Sequence, residues 1–103
     1  MGMCNSKYIE ERNKYGRFEY YLSENNYIYL ANIISAPNFK YYEHIPVEHS
    51  KGVTCSYLHL AVKENSKIFI ELWIRKGFPI NIVDSRGWSC LHWAVYYNCI
   101  NVF

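Results

Sequence analysis

Apolar residues along this chain fall into short helical patterns separated by turn-forming residues. Leu58, Ala61 and Val62 recur at i, i+3 and i+4, which places them on one helical face. Ser56 stands just before that face, where its hydroxyl can accept an orphan N–H of the first turn. Ile70, Leu72, Trp73 and Ile74 mark a second helical segment. Gly77 can take the left-handed conformation that ends a helix, and Pro79 stops the helix from resuming. Asp84-Ser85-Arg86-Gly87 has the composition of a tight turn, and Ser89 then leads into a further segment containing Leu91 and Ala94. Upstream, "RFEYYL" (17–22) and "YIYLANII" (27–34) are apolar, while Pro37, Pro46 and Gly52 argue against continuous helix in the connection to Ser56. The pattern predicts paired antiparallel helices near residues 18–34, 56–75 and 89–103, with no sheet beyond contacts at turn tips.

Two of these segments repeat nearly letter for letter. "SYLHLAVKEN" (56–65) and "SCLHWAVYYN" (89–98) share Leu-His, Ala-Val and a closing Asn at a constant offset of 33. The period and the words resemble the ankyrin repeat, which recurs at about 33 residues and opens its first helix with T-P-L-H-x-A. Ser56, Leu58, His59 and Ala61 fill that motif, as do Ser89, Leu91, His92 and Ala94; Ser replaces Thr, and Tyr57 or Cys90 replaces Pro. Ile68 to Ile74 matches the second helix and Gly77 its end. Ile80-Asn81 matches the V-N pair, and Asp84 with Gly87 the turn before the next motif. An earlier, degenerate unit is legible at an offset of 40: Glu24-Asn25 answers Glu64-Asn65, Ile28 answers Ile68, and Ile33-Ile34 answers Trp73-Ile74. Its connection, 36–55, thus carries about seven residues more than the period. The resemblance implies an all-α ankyrin-repeat solenoid of helix-turn-helix units, about two and a half repeats long. Its expected parts are an N-terminal segment (1–16), a degenerate repeat with a long connection (17–55), a repeat (56–88) and a truncated repeat (89–103).

Composition narrows the class. With 103 residues the chain is one domain, and at 50% hydrophobic content it is too apolar for a disordered tail. Eleven Lys and Arg against nine Asp and Glu leave a net charge of +2, with no run of five or six like charges. Nothing there points to nucleic acid or to a membrane surface. The abundant Tyr, Asn, Ile, Lys and Phe all have A/T-rich codons. This bias and the degenerate repeats resemble ankyrin proteins of large DNA viruses such as poxviruses, which act on host proteins; A/T-rich cellular genomes produce the same bias. Viral relatives often add a C-terminal F-box-like segment, and none is read here. No apolar run approaches the roughly 18 residues of a membrane span, and no secretory h-region is read. The expected location is cytoplasmic, the host cytoplasm for a viral chain, with Cys4, Cys55, Cys90 and Cys99 as free thiols.

No catalytic role, metal or cofactor is expected. For His59 and His92 the resemblance implies hydrogen bonds that knit adjacent turns. Cys55 lies four before His59 and Cys90 two before His92, which is not the paired spacing of a structural zinc site. His44 and His49 lie in a Pro-containing loop with no helix to align them. Phosphate-loop, zincin and nucleophile-elbow motifs are absent from the sequence.

A protein partner is the better expectation. The resemblance implies contact through the turn tips and the exposed sides of the first helices. Those positions are Ser85, Arg86 and Trp88 at the turn, with Lys63, Glu64, Tyr96 and Tyr97 on the helices. Trp, Tyr and Arg are enriched at interface hot spots; the competing reading packs Trp88 on a neighbouring turn. The chain therefore reads as a non-catalytic protein–protein interaction module.

The alternative class is a lipid-anchored membrane adaptor. Gly2 and Ser6 in "MGMCNSK" match an N-myristoylation pattern, and Cys4 could take the second acyl chain that stable anchoring requires. Lys7, Arg12 and Lys14 would add attraction to anionic lipid, offset by Glu10 and Glu11. At the other end, "NVF" is not the polar cap expected of a terminal repeat. Trp93, Tyr96, Val102 and Phe103 are then expected to lack partners, so that this face frays or mediates self-association.

Overall fold

A computed structural model of the chain describes residues 17–47 and 50–97. The described residues are mostly helical. They form α1 (17–23), α2 (Tyr27–Ser35), α3 (Tyr57–Lys63), α4 (Lys67–Arg75) and α5 (Cys90–Tyr96). An antiparallel ladder pairs β1 (Ile45–Pro46) with β2 (Thr54–Cys55), Ile45 opposite Cys55.

Local chemistry explains why the helices come in pairs. Asn25 and Asn65 follow α1 and α3 at φ 53° and 58°, a left-handed position that Asn tolerates better than most residues. Around the first, Asn25 N–H donates to the Leu22 carbonyl and Asn26 N–H to that of Tyr21. Around the second, Asn65 N–H donates to Val62 and Ser66 N–H to Ala61. The same paired closure ends both helices, and the very next residue caps the following one. Asn26 accepts from Tyr29 N–H at 3.0 Å, and Ser66 from Phe69 N–H at 3.4 Å. The result is two tight helical hairpins of identical construction, 40 residues apart.

These hairpins pack in two layers. α3 lies against α4 and α5, and α2 lies against α4. Phe18 of α1 meets the rings of Tyr57 and Phe69 edge-on, at 5.0 and 5.2 Å between centroids. α1, α3 and α5 thus form one layer, α2 and α4 the other. Between its neighbours α3 is buried all round, from Tyr57 through Val62, where the sequence suggested a single apolar face. The reason is position: a central helix is covered from several directions at once. Conversely, Ile74 of the second apolar segment stands largely exposed, because it lies on the outer side of α4.

The long connection is itself packed. Phe39 and Tyr41 stack on Phe78 at 5.7 and 5.2 Å and meet Trp73 edge-on. Trp73, fully buried, donates its indole N–H to the Pro79 carbonyl at 2.8 Å. Ile45 anchors the ladder in the core, and Gly52, at φ 80°, turns the chain back between its strands. The 84–87 turn docks on this ladder: Ser85 N–H donates to the Thr54 carbonyl and Thr54 N–H to Ser85 Oγ, both at 2.9 Å.

Several expectations fall outside the described residues: Gly2, Cys4 and the basic N-terminal residues, Cys99, Val102 and Phe103. Trp93 requires correction. It is 1% exposed, because α3 and the 84–87 turn enclose it, whereas Tyr96 on the other side of α5 is 69% exposed.

Candidate functional site

The two motif histidines begin identically. Ser56 and Ser89 each cap their helix and form a reciprocal box with the histidine three residues on. Nδ1 of His59 accepts Ser56 N–H at 3.2 Å, and Nδ1 of His92 accepts Ser89 N–H at 3.0 Å. This assigns the proton to Nε2 in the neutral ring. His59 Nε2 donates to the Trp88 carbonyl at 3.0 Å, joining α3 to the next turn across 29 residues. Burial holds its pKa below the usual 6.5, although the Trp88 carbonyl and Asp84 favour the charged ring. His92 is exposed, and its Nε2 meets no acceptor among the described residues.

Asp84 organises the turn. Its Oδ1 accepts the N–H groups of Arg86 and Trp88 at 2.8 and 2.9 Å. Its Oδ2 accepts Trp93 Nε1–H at 2.9 Å and the Arg86 guanidinium at 3.0 and 3.3 Å. Burial alone would raise this carboxyl; the bonds from Trp93, Trp88 and Arg86 outweigh it and hold the pKa at about 2. Gly87, at φ 83°, closes the turn by donating to the Asp84 carbonyl, and Gly77, at φ 79°, ends α4 in the same left-handed conformation.

Arg86 is thereby held over Trp88, its guanidinium carbon 3.9 Å from the ring. Trp88 is half-buried rather than open, with Tyr96 6.0 Å away along α5. Beside them runs an open, nearly wholly apolar groove of about 540 Å³, lined by Trp88, Ser89, Leu91, His92, Val95 and Tyr96. Of the expected surface residues, Arg86, Trp88 and Tyr96 lie on or next to this face, while Ser85 is exposed and bonded to Thr54 of the ladder. Tyr97 packs on Trp93 at 5.4 Å.

Lys63 and Glu64 are set apart at the end of α3 and are half-buried. Lys63 pairs with Glu19 at 3.1 Å; burial disfavours its charge, but Glu19 more than compensates and its pKa is raised. Burial, reinforced by Glu19, raises the pKa of Glu64. Cys55 and Cys90 are free and buried, and burial pushes both thiols to about 12. Among the described residues no group of three His, Cys, Asp or Glu could hold a metal ion, and no helix is long and apolar enough to cross a membrane.

About half of the chain is similar to ankyrin-repeat proteins. Human ankyrin repeat and SOCS box protein 3 is 34% identical over 47 residues, 46% of this chain and 9% of that protein. The putative ankyrin repeat protein FPV031 of fowlpox virus is 36% identical over 52 residues, 48% of this chain and 15% of that one. Calmodulin-binding transcription activator 6 of Arabidopsis thaliana is 35% identical over 48 residues, 47% of this chain and 6% of that one. The matched stretch is thus a small part of each relative's length. No family model matches the chain, and no solved structure matches it.

Leu91 and Val95 are not among the surface positions expected from the sequence. Their exposures, 59% and 67%, make them the exposed aliphatic surface of α5, beside Tyr96. A signal was present: Leu91 and Val95 share one helical face, and no later described helix covers it. Glu19, the partner of Lys63, gave no motif at all.

Proposed function

We propose that the chain is a non-catalytic protein-binding module of ankyrin-repeat type, engaging its partner through the 85–88 turn and the outer face of α5. The observation that carries this reading is the Arg86–Trp88 stack beside an open apolar groove. The Trp88 main chain is held by its N–H bond to Asp84, and its ring is covered on one face by the guanidinium, which lowers the side-chain entropy lost on binding. Arg, Trp and Tyr together are the composition of an interface hot spot. The similarity to ankyrin-repeat proteins supports a protein partner, and repeat architecture supports the absence of catalysis. Self-association through this face is part of the same reading.

The test is affinity capture with the full chain, followed by measurement of the purified partner's affinity. Trp88→Ala or Tyr96→Ala should weaken that affinity roughly 30-fold or more, the scale of a hot-spot residue. Lys67→Ala, on the exposed end of α4, should not change it. Equal affinity for all three variants overturns the assignment of the face.

A further inference from the structure

The connection between α2 and α3 is longer than the repeat period requires, and connections of this length are commonly functional loops. Residues 39–45 alternate along it. Phe39, Tyr41, Glu43 and Ile45 turn toward the protein, while Lys40, Tyr42 and His44 are exposed. Each inward residue has its own anchor. Phe39 and Tyr41 stack on Phe78 at 5.7 and 5.2 Å, the Tyr57 hydroxyl donates to Glu43, and Ile45 is fully buried. Glu43 N–H closes a turn onto the Lys40 carbonyl at 3.1 Å. The outward row is thus held in place by its neighbours. Tyr42 is 58% exposed and meets Tyr41 edge-on at 5.2 Å.

This row stands over the end of α4. Phe39 and Tyr41 both rest on Phe78 and meet Trp73 edge-on, which brings Lys40, between them, to the segment that carries Arg75 and Lys76. All three cations are exposed. The ion pairs among the described residues join Lys63 to Glu19 and Arg86 to Asp84, and no carboxylate pairs with Lys40, Arg75 or Lys76. Glu71, one turn before Arg75 on α4, forms no ion pair with it. Arg75 and Lys76 also meet the carbonyl end of α4, where cations are favourable. That accounts for neither Lys40 nor the open ring of Tyr42.

We propose that Lys40, Tyr42, Arg75 and Lys76 form a second docking surface, which takes an acidic, extended segment of a partner protein. The carboxylates of that segment meet the three cations, and its aliphatic stems lie on Tyr42. The surface is separate from the 85–88 turn and α5 and does not rest on their role. Charge complementarity selects the occupant, because the surface offers cations that no carboxylate of the chain neutralises. Single-stranded nucleic acid fits less well. It needs open ring faces for its bases, whereas Phe78 is stacked by Phe39 and Tyr41, and of these rings and Tyr42 the last alone is exposed.

The probe is fluorescein-labelled octaglutamate, titrated against the full chain at low and at physiological salt and mapped by amide NMR shifts. The expected result is saturable binding at low salt that weakens at least roughly fivefold at physiological salt, as exposed charge pairs are screened. The largest shifts should fall at residues 40–44 and 75–78. Lys40→Glu combined with Lys76→Glu should weaken binding at least about tenfold, since like charges then face the probe. The same charge change at Lys51 and Lys67, which are also exposed, should weaken it less than about twofold. Equal weakening by both double variants would show attraction to net charge alone and overturns the surface. So does the absence of saturable binding at low salt. Octadeoxythymidylate binding more tightly than octaglutamate, and lost in the Lys40→Glu, Lys76→Glu variant, assigns the surface to nucleic acid and overturns the proposal. Trp88→Ala should leave octaglutamate binding unchanged, and a loss there moves the contact to Arg86 and overturns it too. A partner that docks here keeps its affinity for Trp88→Ala, which separates it from one that uses the turn.

Discussion

Replacing Asp84 by Asn removes one charge and changes almost nothing in shape, so it isolates what the carboxylate does. The Asn oxygen can keep the N–H groups of Arg86 and Trp88, which now meet Oδ1 at 2.8 and 2.9 Å. The amide nitrogen would then face three donors: Trp93 Nε1–H and two from the Arg86 guanidinium. Trp93 is 1% exposed, so its indole N–H would be left without an acceptor or water, at about 1–3 kcal/mol. The Arg86 side chain is 36% exposed and can turn to solvent, which limits its loss to below about 1 kcal/mol.

The expected cost of Asp84→Asn is therefore about 1–4 kcal/mol at pH 7. Protonation gives an independent estimate. A carboxyl held at about 2 rather than 3.8 contributes on the order of 2 kcal/mol. That stability is fully present above pH 4 and is lost as pH falls through 2. Urea unfolding followed by tryptophan fluorescence should show the full difference between wild type and variant at pH 7, and roughly half of it at pH 3. A difference below about 0.5 kcal/mol at pH 7, or one that does not shrink at pH 3, refutes the account of the turn.

Other expectations follow from the same contacts. Leu58→Ala should cost about 2–5 kcal/mol, and Leu91→Ala, at the same motif position, less than about 0.5, because one is buried and the other is not; equal losses in denaturant melts would contradict this. His59 is neutral and buried with a lowered pKa, so the unfolded chain takes up its proton first. Its effect on stability should set in as pH falls below 6.5, well before that of Asp84, and His59→Gln should remove that part of the pH profile. Asn65→Ala should cost about 1 kcal/mol by forcing Ala to φ 58°, whereas Asn65→Gly should be nearly neutral. Cys55 and Cys90 should resist thiol reagents in the folded protein and react fully in denaturant; rapid labelling of both without denaturant would show that they are not enclosed.

The hairpins were legible because their signals are local. Apolar spacing, Ser caps and the Asn residues at positive φ act within a few residues, and the offset of 40 between Asn25 and Asn65 marks two helix ends of the same construction. The ladder within the connection was not legible. Strands of two residues carry no periodicity, and Pro46 ordinarily argues against a strand. Trp93 was misjudged for a different reason: its burial depends on Asp84, nine residues away, accepting an indole proton across a turn. The unequal fates of Leu58 and Leu91 lie beyond any local rule, since identical motif letters differ, among the described residues, only in whether a later helix covers them.

Hydrogen exchange of the full chain with and without its captured protein partner tests the central claim most directly. A module that binds through its turn and outer helix face should show new protection at residues 85–97, with little change at residues 39–47 and in α4. Protection confined to those latter segments, with 85–97 exchanging as in the free chain, would contradict it.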